Sequence, residues 1–216
     1  NMDITLRWTE TNGNCSSTDD VVIRNNAQSV AAAGPDQTKC NTSSFTMAAV
    51  PTVGTGAWTF VGASGTAVIT SPTSATTTVT SVPTNMDITL RWTETNGNCS
   101  STDDVIIRNN AQSIAAAGPD QTKCNTSSFT MAAVPTVGTG AWTFVGASGT
   151  AVITSPTSAT TTVTSVPTNM DITLRWTETN GNCSSTDDVV IRNNAQSVAA
   201  AGPDQTKCNT SSFTMA

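Results

Sequence analysis

Six cysteines carry most of the chemistry this sequence offers: Cys15, Cys40, Cys99, Cys124, Cys183 and Cys208, with spacings that alternate between 25 and 59. No two of them form a CxxC pair, so the spacing argues against a zinc site and toward disulfides in an oxidising, extracellular setting. The chain has no His, which removes His-based triads and His metal ligands. The acids Asp19, Asp20 and Asp36, with Asn25 or Asn26, are candidates for a calcium site near a junction, although no EF-hand ligand string is present. The plain alternative for these acids is solvated turn and edge positions. Lys39 occurs once per copy. It is either one end of a Lys–Asn or Lys–Asp crosslink or, more simply, a charge that blocks edge pairing. VGTGAW and VGASGT lack the lysine and helix start of a phosphate loop and read as turns. Catalysis has almost no foothold, and no enzyme is expected.

Everything that positions these residues repeats. NMDITLRWTETNGNC starts at Asn1, Asn85 and Asn169, so the pattern returns every 84 positions. The first two copies differ only where Val22 becomes Ile106 and Val30 becomes Ile114, each adding one methylene, and the third reverts to Val190 and Val198. Such a period implies an array of one structural unit. Each copy carries three basic and five acidic residues. That balance disfavours nucleic acid, which needs clustered Lys and Arg, and anionic lipid. Within Asn1–Thr84, Val, Ile, Leu and Phe together number only 15, against 27 for Ser and Thr. The alternation of those few apolar residues still favours thin-cored folded domains over disorder. The sequence shows neither a signal peptide nor an apolar run of membrane-spanning length. It starts in mid-strand and is expected to be a window on a longer protein.

Met2, Ile4, Leu6 and Trp8 alternate with Asp3, Thr5, Arg7 and Thr9, the pattern of a strand with one buried face. Thr11 to Asn14 reads as a turn in a longish loop carrying Cys15, and Asp20–Arg24 as the return strand. The polar segment from Asn25 to Ser29 is the expected junction. Val30–Ala33 starts a strand broken at Gly34-Pro35, and Gln37–Cys40 resumes it in a shifted position. Further strands are expected at Ser44–Val50, Ala57–Val61, Ala67–Thr70 and Ala75–Val82. About seven strands per period and no helical periodicity give an all-β chain of tandem immunoglobulin-like β-sandwiches. The complete domains are Gln28–Ala111 and Gln112–Ala195, with 1–27 the tail of a preceding domain and 196–216 the head of a following one. Trp8, Trp58, Trp92, Trp142 and Trp176 are the expected core anchors, with Trp58 and Trp8 facing each other across the core.

In this frame Cys40 and Cys99 share a domain, as do Cys124 and Cys183, and these are the expected disulfides. Cys15 and Cys208 are left to partners outside the window. A bridge across the junction, Cys15–Cys40, stays open, as do free thiols and interchain links. The intradomain pairing meets a geometric difficulty. In standard immunoglobulin topology the end of the first strand and the loop after the sixth lie at opposite ends. A disulfide requires Cα atoms within about 7 Å.

The strings AAAGPDQTKC, GTGAWTF, ITLRWTETNGNC and SSTDDVVIRN resemble the PKD-like or immunoglobulin-like repeats of giant Bacteroidota surface proteins, the gliding-motility adhesins among them. The resemblance runs over the whole period. It implies secretion through the type IX system and display as a filament on the bacterial outer surface. Its partners would be neighbouring repeats, other copies in a fibre, and an external surface or glycan reached through a tip not seen here.

Three functions follow. The first is a structural stalk of semi-rigid tandem domains, each adding roughly 35–45 Å. The second is a multivalent carbohydrate- or surface-binding array, which an exposed Trp58 or Trp8 would favour. The third is a laterally self-assembling fibre that pairs through Thr-rich edges such as Ala75–Val82.

Overall fold

The computed structural model describes residues 2–206, 208–212 and 214. They form two compact units: Asn1–Ser113 with Thr179–Ser184, and Ile114–Glu178 with Ser185–Ala216. Among the described residues there is no helix. The first unit opens with a hairpin, β1 (Met2–Asn12) and β2 (Cys15–Asn25). The chain continues through β3 (Gln37–Cys40), β4 (Phe45–Thr46), β5 (Thr55–Val61), β6 (Val68–Ile69), β7 (Thr78–Thr80), β8 (Asp87–Asn96) and β9 (Cys99–Asn110). A four-stranded sheet β3-β9-β8-β5 and a three-stranded sheet β4-β7-β6 hold these seven strands. This is an immunoglobulin-like sandwich.

The pattern repeats in a second sandwich with β10 (Gln121–Cys124), β11 (Phe129–Thr130), β12 (Thr139–Val145), β13 (Val152–Ile153), β14 (Thr162–Thr164), β15 (Asp171–Asn180) and β16 (Cys183–Asn194). Its sheets are β10-β16-β15-β12 and β11-β14-β13.

The period-two reading of the first strand is realised on β8. Ile88, Leu90 and Trp92 are buried, and Thr89, Arg91 and Thr93 between them are only partly covered. On the outer face Arg91 sits opposite Asp104 and Asp87 opposite Arg108, and both pairs form salt bridges. Exposed pairs of this kind add little energy but help to select the register. Trp58 lies directly opposite Trp92 in the β5–β8 pair, ring centroids 5.2 Å apart and planes tilted by 52°. The indoles are therefore cross-strand neighbours in one sheet, not partners facing each other from opposite sheets. Phe45, Met47 and Val79 from the other sheet close the core over them. The second core, built around Trp142 and Trp176, uses the equivalent residues.

Several expected elements take other forms. The hairpin loop is only Gly13-Asn14, because Asn12 already pairs with Cys15. Gly13 has φ +60°, which suits the first position of a type II′ turn. Val30–Ala33 joins no ladder. Its amides are taken by side chains instead: Val30 by Thr52 Oγ1, Ala31 by Ser101 Oγ and Ala33 by Asp103 Oδ2. Past Gly34-Pro35 the chain becomes β3, which runs parallel to β9. The expected Thr-rich edge at Ala75–Val82 is not an edge, since β7 lies between β4 and β6.

Trp8 is not a core anchor. It is 73% exposed, and Met2, Ile4 and Leu6 beside it are exposed as well. Trp92, at the same place in the repeat, is 1% exposed. The face of β8 is covered by β5 and by the sheet opposite, whereas β1 pairs with β2 alone. The two positions thus separate burial from sequence. Trp92→Ala should cost about 3–5 kcal/mol. Trp8→Ala should stay within about 0.5 kcal/mol. Urea midpoints of the two variants check this.

Candidate functional site

The inward parity of β8 does not stop at Trp92. Glu94 and Asn96 follow on the same face, and both are buried. Glu94 Oε1 accepts hydrogen bonds from the Thr52 amide and hydroxyl, each at 2.7 Å, and from the Val53 amide. The strand thereby anchors the loop before β5. Gly56, in β5, makes room for the Trp92 ring, since a Cβ there would lie 1.8 Å from a ring carbon. Burial alone would push the Glu94 carboxyl up. The bonds from the Thr52 hydroxyl and from the Val53 and Thr52 amides outweigh it and hold the pKa below the usual value. Glu178 sits in the same cradle, made by Thr136 and Val137. Motif and spacing do not single out Glu94 or Glu178 as functional positions. The signal is nevertheless available, because residue 10 shares the parity of residues 2, 4, 6 and 8.

Beyond Asn96 the hairpin tip meets the junction segment. Asn96 Nδ2 donates to Ala27 O at 2.8 Å, the Cys99 thiol reaches Asn26 O at 3.8 Å, and Gln28 Nε2 donates to Ser100 O. One period on, inside the first unit, the contacts recur. Asn180 Nδ2 donates to Ala111 O at 2.8 Å, Cys183 Sγ lies 3.4 Å from Asn110 O, and Gln112 Nε2 donates to Ser184 O. Gly181 is required here twice over. Its φ is +59°, and a Cβ would meet Asn110 Nδ2 at 2.1 Å. Three more hydrogen bonds appear in this second instance. Asn182 donates to Thr38 O at 3.1 Å and accepts from Asn110 at 3.0 Å, and Asn180 donates to Asn85 Oδ1.

Those contacts bring Cys183 onto Cys40, and the two form a disulfide with Cα atoms 5.2 Å apart. Both residues belong to the first unit. The expected pairings Cys40–Cys99 and Cys124–Cys183 are not made; Cys15, Cys99, Cys124 and Cys208 are free thiols. The reason lies in the register. Cys40 pairs with Asn110 at the far end of β9, while Cys99 begins that strand. At ~3.3 Å per residue the two cysteines of one repeat are about 36 Å apart along β9. Cys124 and Cys183 are separated in the same way, with Cys124 opposite Asn194.

The acids proposed as calcium ligands have other partners. Asp20 pairs with Arg7, Asp36 Oδ1 accepts from the Ile106 amide, and Asp19 accepts from the Asp20 amide. Among the described residues no three His, Cys, Asp or Glu side chains gather as metal ligands. Lys39 donates to Ser44 O at 3.1 Å and lies over the Phe45 ring, contacts that suit a capped strand edge. No helix among the described residues is long and apolar enough to cross a membrane.

No family model and no curated protein matches the chain. Among solved structures it is similar to extracellular domains 3–5 of Drosophila OTK, with TM-score 0.58 and 10% identity over 88% of this chain and 70% of that one. It is also similar to the I-band fragment I67–I69 of titin, with TM-score 0.50 and 8% identity over 78% of this chain and 66% of that one. At these identities the likeness establishes the fold. The chain is an all-β protein of tandem immunoglobulin-like domains.

The buried glutamates give a pH test. Their folded pKa lies below the ordinary value, about 4.3 for Glu. Their contribution is therefore complete above that value and is lost as pH falls through the folded one. The double variant Glu94→Gln, Glu178→Gln should be less stable at pH 7 by about 1–3 kcal/mol per site. The gap from the parent should narrow between pH 5 and pH 3, as read from urea midpoints across that range.

Proposed function

We propose that the chain is the repetitive stalk of an extracellular surface filament, in which each copy of the repeat adds length. The observation that carries this reading is the equivalence of the two complete cores. Thirteen buried residues of one recur at the same repeat positions in the other, each set closing around its own pair of indoles. A unit that satisfies its own core can be added without changing its neighbour's. The disulfide supports an oxidising, extracellular location. The resemblance of the repeat strings to giant adhesin repeats supports the surface of a bacterium, with attachment or gliding as the use. No catalytic role is part of this reading.

A glycan-binding array draws no support from the aromatics. The tryptophans of both complete repeats are buried, and no Tyr is present. Exposed Trp8 would favour binding on its own, but its counterparts Trp92 and Trp176 lie in the cores. Chains of two, four and eight periods, kept reduced so that no cystine links one repeat to another, test the stalk by electron microscopy and calorimetry. The expected outcome is a particle that lengthens by one fixed increment per copy at an unchanged unfolding midpoint. A length that does not grow with copy number, or a midpoint that climbs steeply with it, overturns the reading.

A further inference from the structure

The Cys40–Cys183 bond links cysteines 143 positions apart, so it leaves one repeat and closes on the next. Its seat is built from repeat residues: Thr38, Asn85, Asn110 and Ala111 receive the tip Asn180-Gly181-Asn182. The tip-to-junction part of that seat already occurs twice, since Asn96 and Cys99 meet Ala27 and Asn26 as Asn180 and Cys183 meet Ala111 and Asn110. Only one pair of cysteines in this sequence has the right kind and separation. The same step taken forward from Cys124, or back from Cys99, falls on no residue of it.

We propose that this bond is a property of the repeat, recurring at every step of an array, and that it acts as a covalent stop against extension. The proposal rests on the stalk reading for its biological setting. Under tension between the ends, load passes from Cys40 straight to Cys183, and the residues between carry none. Backbone then carries the load only over the short stretch from Cys183 to the next cysteine of the Cys40 type, Cys208. Two periods of such an array therefore stretch to about 90 Å, compared with about 580 Å for the same residues unlinked. The second lane, entered at Cys124, is offset by one repeat, so neighbouring staples overlap and no repeat lies outside a bridged loop. Unfolding a sandwich would then release almost no length.

The chain as it exists tests this. Held by its ends in a single-molecule force instrument, the oxidised chain should extend to roughly 260 Å, because only about 75 residues lie on the load path. With dithiothreitol, or in Cys40→Ser, it should reach about 750 Å and show steps of about 250 Å as whole repeats unfold, the extended length of a repeat less about 40 Å of folded length. Peptide mapping without reductant should recover Cys40 joined to Cys183. Repeat-sized steps in the untreated chain, or peptides joining Cys40 to Cys99 or Cys124 to Cys183, overturn the stop. Neither result would touch the growth of length with copy number, on which the stalk reading stands.

Discussion

The structure depends on the strict alternation of one long strand. β8 lies at the centre of its sheet, bonded to β5 on one side and to β9 on the other, and β9 in turn carries β3. Every second side chain of β8 points inward, and the series Ile88, Leu90, Trp92, Glu94, Asn96 performs three tasks in order along that face. The first three fill the core. Glu94 fixes the loop that leads to β5, and Asn96 reaches the junction segment. A slip of one residue would turn all five outward and expose Thr89, Arg91 and Thr93 to the core. Core, loop and junction are therefore set by a single register. The cross-strand pairs Arg91–Asp104 and Asp87–Arg108 reinforce that register from the wet face.

The first copy of this hairpin separates local from long-range causes. β1 and β2 hold the same register as β8 and β9, with Trp8 opposite Asp19 as Trp92 is opposite Asp103. The ion pairs Arg7–Asp20 and Arg24–Asp3 form there too. Turn chemistry and cross-strand charge thus suffice to write the ladder. They do not supply a core: every residue of β1 and β2 is exposed. A lone two-stranded hairpin is marginal in water. The stability of the complete repeats must come from what β5 and the facing sheet lay over the apolar stripe, above all the Trp58 ring against Trp92. Such aromatic pairs add about 0.5–1.5 kcal/mol beyond the area they bury.

The same contrast explains what is legible in the sequence. The long period, the alternating strand and the seven-stranded sandwich follow from local pattern and turn chemistry, and the structure has them. Val30–Ala33 reads as a strand because its composition suits one. The Ala31 and Ala33 amides go instead to Ser101 and Asp103, some seventy positions away, and Val30 and Ala32 bond to Thr52 and Val50, so no local window contains its partners. The Thr-rich run at 75–82 has strand composition whether it lies at an edge or in the middle. Only the pairing of β7 with both β4 and β6 decides which. The cysteines are the least legible. A perfect repeat offers each cysteine several partners equivalent by translation, so spacing cannot choose among them. The choice follows from β3 running parallel to β9, which carries Cys40 to the end of the strand farthest from Cys99.

That parallel pairing also accounts for the form of the junction. It delivers Cys40 beside Asn110, next to the segment Ala111-Gln112-Ser113, which contains neither Gly nor Pro. Ala111 O accepts from Asn180 Nδ2 and the Ala111 amide donates to Asn85 Oδ1, while Asn182 Oδ1 accepts from Asn110 Nδ2 and Gln112 Nε2 donates to Ser184 O. Contacts of this kind exchange readily with water, and each is worth only about 0.5–1.5 kcal/mol net. A disulfide does not compete with water and does not depend on buried area. In a repeat with so few large apolar residues, the core is closed by two tryptophans, and beside Asn110 the polar contacts are joined by the Cys40–Cys183 bond. The division of labour follows from composition: Ser, Thr and Asn shape and orient the contact around buried Asn110, and the covalent bond makes it permanent.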